Sequence, residues 1–109
     1  MIRRMSDSSR AIPAVPTVKI DTARVRVTEW RFAPGAATGF HRHEYDYVVV
    51  PVTTGPLTIV GRGGVVTTAQ LVTGEPYNRN AGVEHDVRNG NAGEFVFIEI
   101  ELKDPPVKA

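Results

Sequence analysis

Apolar positions along this chain come in short bursts, and none of the bursts has a helical period over ten residues. Leu57-Thr58-Ile59-Val60 and Val65-Val66-Thr67-Thr68-Ala69 flank Gly61-Arg62-Gly63-Gly64, which predicts two strands joined at a hairpin tip. Glu84 to Asn89 predicts a strand with His85, Val87 and Asn89 on one face, because alternate side chains leave a strand on the same side. Glu94 to Leu102 predicts a long last strand, and Val18 to Ile20 a short first one. From Arg24 to Phe32 the apolar positions are Val25 and Val27, then Trp30 and Phe32, so the apolar face changes partway. A β-bulge, or a strand passing from core to edge, produces such a switch. Tyr47-Val48-Val49-Val50 does not alternate at all, which predicts a strand covered on both faces, one cover being the core and the other the N-terminal arm or a second subunit. Pro51 then belongs at a strand end, an edge or a bulge. Strands this short, with Gly, Pro or Asn turns about every ten residues, predict an all-β sandwich or barrel.

With 109 residues the chain is long enough for one domain. The expected division is an N-terminal arm over residues 1–16, flexible or packed on a partner subunit, a domain over 17–103 and a tail over 104–109. Thirteen basic against 12 acidic residues leave no electrostatic case for nucleic acid or a membrane surface. No apolar run approaches the roughly 20 residues that span a bilayer, and residues 1–10 lack the apolar core of a signal peptide, so the cytoplasm is the expected location. The absence of cysteine restricts any metal to nitrogen and oxygen ligands.

That restriction draws attention to the histidines. His41 and His43 are one residue apart, so in a strand both would leave the same face, about 7 Å apart at the backbone. The third, His85, lies far along the chain, and a fold that returned it to the pair would make a three-imidazole site. Gly61-Arg62-Gly63-Gly64 is not a phosphate loop, since no helix and no Lys-Ser/Thr pair follows it.

Two spacings then agree with a known family. Pro34-Gly35, five residues, and His41-Arg42-His43, closed by Gly55, make up one motif. Gly74, five residues, and Asn80-Ala81-Gly82-Val83-Glu84-His85-Asp86-Val87-Arg88-Asn89 make up the other. Over residues 18 to 102 the chain resembles the cupin superfamily, whose second motif it departs from only in having Asn80 for proline. The resemblance implies a single-domain cupin jelly-roll barrel, a double-stranded β-helix, with the site inside it. It carries the family's metal ligands onto His41, His43 and His85. The family's glutamate ligand does not carry over: its place falls on Tyr47 with a spacer of three and on Val48 with a spacer of four. Tyr47 keeps the inward parity, whereas a slip of one residue would turn Asp46 inward.

Three neutral imidazoles leave a divalent ion, whether Fe, Ni, Mn or Zn, with its full charge and with open positions, an arrangement that favours a small anionic substrate. Tyr47 is expected to act there, either as a phenolate ligand or as a hydrogen-bond donor, and Arg79 as a clamp on the anion at the barrel mouth. Asn89 is expected either to orient His85 or to cap the turn at Gly90. With iron, the likeness to three-histidine cupins implies dioxygenation. The alternatives are a binding cupin without turnover and a metal-free structural barrel. The Val48–Val50 run and the spare arm together predict a homodimer.

Overall fold

The computed structural model describes residues 11–103. Among the described residues eleven strands form two sheets: β1 (Ile12–Pro13), β2 (Val15–Asp21), β3 (Val25–Phe32), β4 (Ala36–Ala37), β5 (His41–Arg42), β6 (Asp46–Pro51), β7 (Gly55–Gly61), β8 (Val66–Leu71), β9 (Tyr77–Arg79), β10 (Glu84–Arg88) and β11 (Phe95–Leu102). One sheet runs β1-β4-β10-β7-β8, with β5 also paired to β10. The other runs β2-β3-β11-β6-β9. The fold is all-β, as the spacing of strands and turns predicts. Among the described residues no helix is long and apolar enough to cross a membrane.

The β7–β8 hairpin forms with Val60 opposite Val66, around a single 3-10 turn over Arg62–Gly64. Gly63 and Gly64 hold φ of 77° and 80° there, a region that side chains with a Cβ avoid. The short strands β1, β4, β5 and β9 had no signature of their own; two or three residues are too few for a period. Of the expected arm, Ile12–Pro13 form β1 and Val15 and Pro16 open β2, which pairs antiparallel with β3 inside the same chain. The rest of that arm, 1–10, and the tail, 104–109, lie outside the described residues.

β3 is unbroken: its register with β11 runs from Val25–Leu102 to Phe32–Phe95 without a slip. The bulge expected in it sits instead in the neighbouring β2, between Val18 and Ile20. The change of apolar face in β3 has another cause. Near one end of the barrel the inward positions are apolar, with Phe32, Phe95, Phe97 and Leu57 in the core and the Phe32 and Phe97 rings 5.5 Å apart. Toward the other end the inward positions line a cavity and are polar, Arg26 among them. Val25 and Val27 therefore face outward, on the sheet's other side.

β6 resolves in the same way. Tyr47 and Val49 are buried inward, while Val48 and Val50 alternate with them as half-buried outward positions. They share the outer face with Ile98 and Ile100 of β11, since Ile98 pairs with Val50 and Ile100 with Val48.

Candidate metal centre and its cavity

The two histidine motifs meet because β5 and β10 are zipped together. His41 lies opposite His85, and Arg42 opposite Glu84. Just beyond, the His43 backbone N–H donates to the Val83 carbonyl and the Gly82 N–H to the His43 carbonyl. All three rings converge. His43 Nε2 lies 3.0 Å from His41 Nε2 and 3.0 Å from His85 Nε2. The ring edges meet at steep angles, 70° for His41 with His43 and 84° for His43 with His85.

Such spacing has a physical consequence. His41 Nδ1 is 2.8 Å from the Gly39 carbonyl, to which only a protonated nitrogen can donate, so Nε2 is the nitrogen left to present a lone pair inward to a metal. Lone pairs aimed at one another repel unless a proton or a metal cation lies among them. Nitrogens bound about 2.1 Å from a common ion at right angles would be about 3.0 Å apart. The three rings are thus positioned to bind a metal.

Their charge state fits as well. Burial, followed by the neighbouring His41 and His85 and then Arg79, pushes His43 down to about 3. Burial, His41 and Arg79 bring His85 down to about 4. Both rings are 7% exposed and neutral at physiological pH, as ligands must be.

Supporting groups come from β10 and the loop before β5. The buried Asp86 accepts from the Gly39 N–H at 3.1 Å and pairs with Arg88 at 2.9 Å, which fixes the turn that presents His41. Thr38 accepts from the Val87 N–H and donates to the Gly39 carbonyl. Gly39 holds a φ of 84° in that turn.

Tyr47 faces the site and Val48 does not, so the family's glutamate position corresponds to a spacer of three and is filled by a phenol. The Tyr47 ring lies flat on His43, centroids 3.9 Å apart and planes within 16°. Burial pushes its pKa up, and its hydroxyl has no hydrogen-bond partner among the described residues. Desolvation of this kind favours the neutral phenol. Asp46 points away from the site and accepts from the Ala81 N–H at 2.8 Å, tying the second motif to β6. Asn89 does not orient His85. Its Nδ2 donates to the carbonyls of Phe32, Ala33 and Gly93, and its Oδ1 accepts from Asn91. It knots the turn, at 1% exposure.

A cavity of about 290 Å³ opens in front of the rings. Its walls include apolar Val49, Leu57, Ile59, Val87 and Phe97 and polar Arg26, Tyr77, Arg79, Glu99 and Glu101. Register explains the polar wall. Arg26, Glu101, Tyr47 and Arg79 form one rung across β3, β11, β6 and β9, and Thr28, Glu99, Val49 and Tyr77 form the next. Arg79 is exposed at the mouth, and no hydrogen bond or ion pair engages it among the described residues. Sequence reasoning passed over Arg26, Glu99, Glu101 and Asp86. The signal for the two glutamates was Ile98-Glu99-Ile100-Glu101, an apolar–acidic alternation inside a strand otherwise apolar on both faces.

No protein-family model matches the chain. It is 59% identical over 90 residues to the β-alanine degradation protein BauB of Pseudomonas aeruginosa, covering 83% of this chain and 94% of that protein. A crystal structure of a cupin domain from Bordetella pertussis matches at a TM-score of 0.84 with 56% identity, over 87% of this chain and 98% of that one. A conserved double-stranded β-helix protein from Klebsiella pneumoniae is alike in fold alone, with a TM-score of 0.70 at 18% identity over 94% and 91% of the two chains.

Proposed function

The chain belongs to the cupin superfamily, and on that premise we propose that it holds one divalent metal on His41, His43 and His85 and uses it to act on a small anionic metabolite. The observation that carries the reading is that His43 Nε2 lies 3.0 Å from both His41 Nε2 and His85 Nε2, with all three ligand atoms within 4.8 Å of one another. A metal there would supply a positive charge and open positions at which a ligand is polarised, or oxygenated if the metal is iron. The chain's own residues do the rest. Arg79, an unengaged cation at the mouth, draws in and holds a carboxylate. Tyr47 offers a proton from its partnerless hydroxyl to an oxygen of the ligand and braces His43 with its ring. Leu57, Ile59, Val87 and Phe97 keep the inner wall dry, which strengthens those contacts. The role in β-alanine degradation named for the Pseudomonas relative is in keeping with a small carboxylate ligand.

Chelator-stripped protein should bind Fe(II), Ni(II), Mn(II) or Zn(II) at one saturable site in calorimetry, and His85→Ala should not. Failure of all four metals would leave a structural barrel. Oxygen uptake by the iron form in the presence of small carboxylates, absent in His85→Ala, would establish dioxygenation. Binding without uptake would make the protein a receptor.

The same reading extends to assembly. Val25, Val27, Val48, Val50, Ile98 and Ile100 give one sheet an apolar outer face, and the exposed Val15 and Ile20 of β2 border it. Burial of that face against a second copy would form a homodimer in the cytoplasm.

A further inference from the structure

The metal centre explains one side of the cavity, and Glu99 lies on another. Glu101 has a counter-charge in Arg26 at 3.4 Å. Glu99, on the adjoining rung, has no ion pair among the described residues. Its surroundings are Glu101 on the same strand, Trp30, Arg26 and Thr28 on β3, Val49 and Tyr47 on β6, and Tyr77 and Arg79 on β9. The indole N–H of Trp30 is directed at the Glu99 carboxyl without closing to full hydrogen-bond geometry. Tyr47, only 2% exposed, has a hydroxyl with no partner among the described residues. Buried polar atoms are normally paired, so an orphan hydroxyl on the same cavity wall as a carboxyl without an ion pair indicates a ligand that completes both.

From this arrangement we infer that the ligand is a small zwitterion. Its carboxylate goes to the histidine centre and Arg79, and its ammonium group goes to Glu99 beside the Trp30 ring. A half-buried carboxylate without an ion pair is a suitable receptor for an ammonium ion, through a charge-assisted hydrogen bond. Across the sheet, Glu99 stands one strand over and two residues along from Tyr47, which is about 8 Å at the backbone. The cavity of about 290 Å³ that both ends line has room for a straight chain of three to five carbons. The inference rests on the metal reading for its carboxylate end only.

Burial, then Glu101, pushes the Glu99 carboxyl up to about 7, while Trp30 and Arg26 pull the other way. An arriving ammonium would reverse that desolvation cost by supplying the missing positive partner.

The test is calorimetry on metal-loaded protein with β-alanine, 4-aminobutyrate and 5-aminovalerate. Each is paired with the straight-chain carboxylate that lacks the amine and with the alkylamine that lacks the carboxylate. At least one amino acid is expected to bind tenfold or more tightly than both of its partners. In Glu99→Gln, checked for fold by circular dichroism, that preference over the carboxylate should fall to less than twofold with the carboxylate's own affinity unchanged. Equal affinity for an amino acid and its carboxylate, preference retained in Glu99→Gln, or no binding by any probe would each overturn the inference. Metal content, measured on the same samples, reports separately on the histidine centre.

Discussion

Glu99 and Tyr47 both place polar atoms where the fold gains nothing from them. The Glu99 carboxyl is raised to about 7 from an ordinary 4.5, chiefly by burial. Between those values the folded protein holds a proton that the unfolded chain has lost. Stability contributed by the neutral carboxyl is therefore full below about pH 4.5 and is lost as pH climbs to about 7. Each pKa unit is worth about 1.4 kcal/mol, so the loss is on the order of 2 kcal/mol once partial solvation is allowed for. Glu99→Gln should then raise Tm by several degrees at pH 8 and change it little at pH 4.5; an equal shift at both pH values would remove ionisation as the cause. Tyr47→Phe deletes a buried hydroxyl that has no partner, and its Tm should be unchanged or higher. Metal stoichiometry in Tyr47→Phe should stay at one, because the ring still stacks on His43. Loss of the metal in that variant would mean that the phenol is a ligand after all.

Much of the architecture was open to reading from the strands with clear turns at their ends. β7, β8, β10 and β11 were each expected within a few residues of their observed limits. β3 and β6 were expected as strands but not understood. Their pattern presumes that inward means apolar, and in a barrel with a cavity this holds only at the filled end. Arg26 and Glu101 face in, Val25 and Ile100 face out, and alternation alone cannot tell that case from a reversed strand. The histidine trio was legible because its residue type is rare in this chain and its spacing specific. The glutamates were not, since a strand glutamate ordinarily marks a solvated face. Asn89 shared a face with His85 and so offered two roles; only the carbonyls around its amide decide for the turn. That knot ties the β10–β11 connection to the end of β3. Asn89→Ala strands the buried Phe32 carbonyl and releases those of Ala33 and Gly93, and it should cost about 2 to 4 kcal/mol in urea denaturation with metal affinity intact. A cost below about 1 kcal/mol would show the turn to be held by other contacts.

The molecule as a whole has two differently built faces of one sheet. The inner face of β3, β11 and β6 mixes a polar cavity wall with an aromatic core, and the outer face is dominated by Val and Ile. An outer face of this kind is costly to leave in water at about 25 cal/mol per Å² of apolar area. Sedimentation at micromolar concentration should give twice the chain mass, and Ile98→Glu together with Ile100→Glu should halve it. A wild-type monomer would contradict that expectation without touching the site, because every ligand candidate lies within one chain. What the whole account depends on is that one ion sits among three imidazoles. X-ray absorption at the metal edge of reconstituted protein reads that directly. Three imidazole nitrogens at about 2.1 Å, reduced to two in His85→Ala, is the expected result. A first shell of oxygens alone, or an unaltered spectrum in His85→Ala, would contradict it.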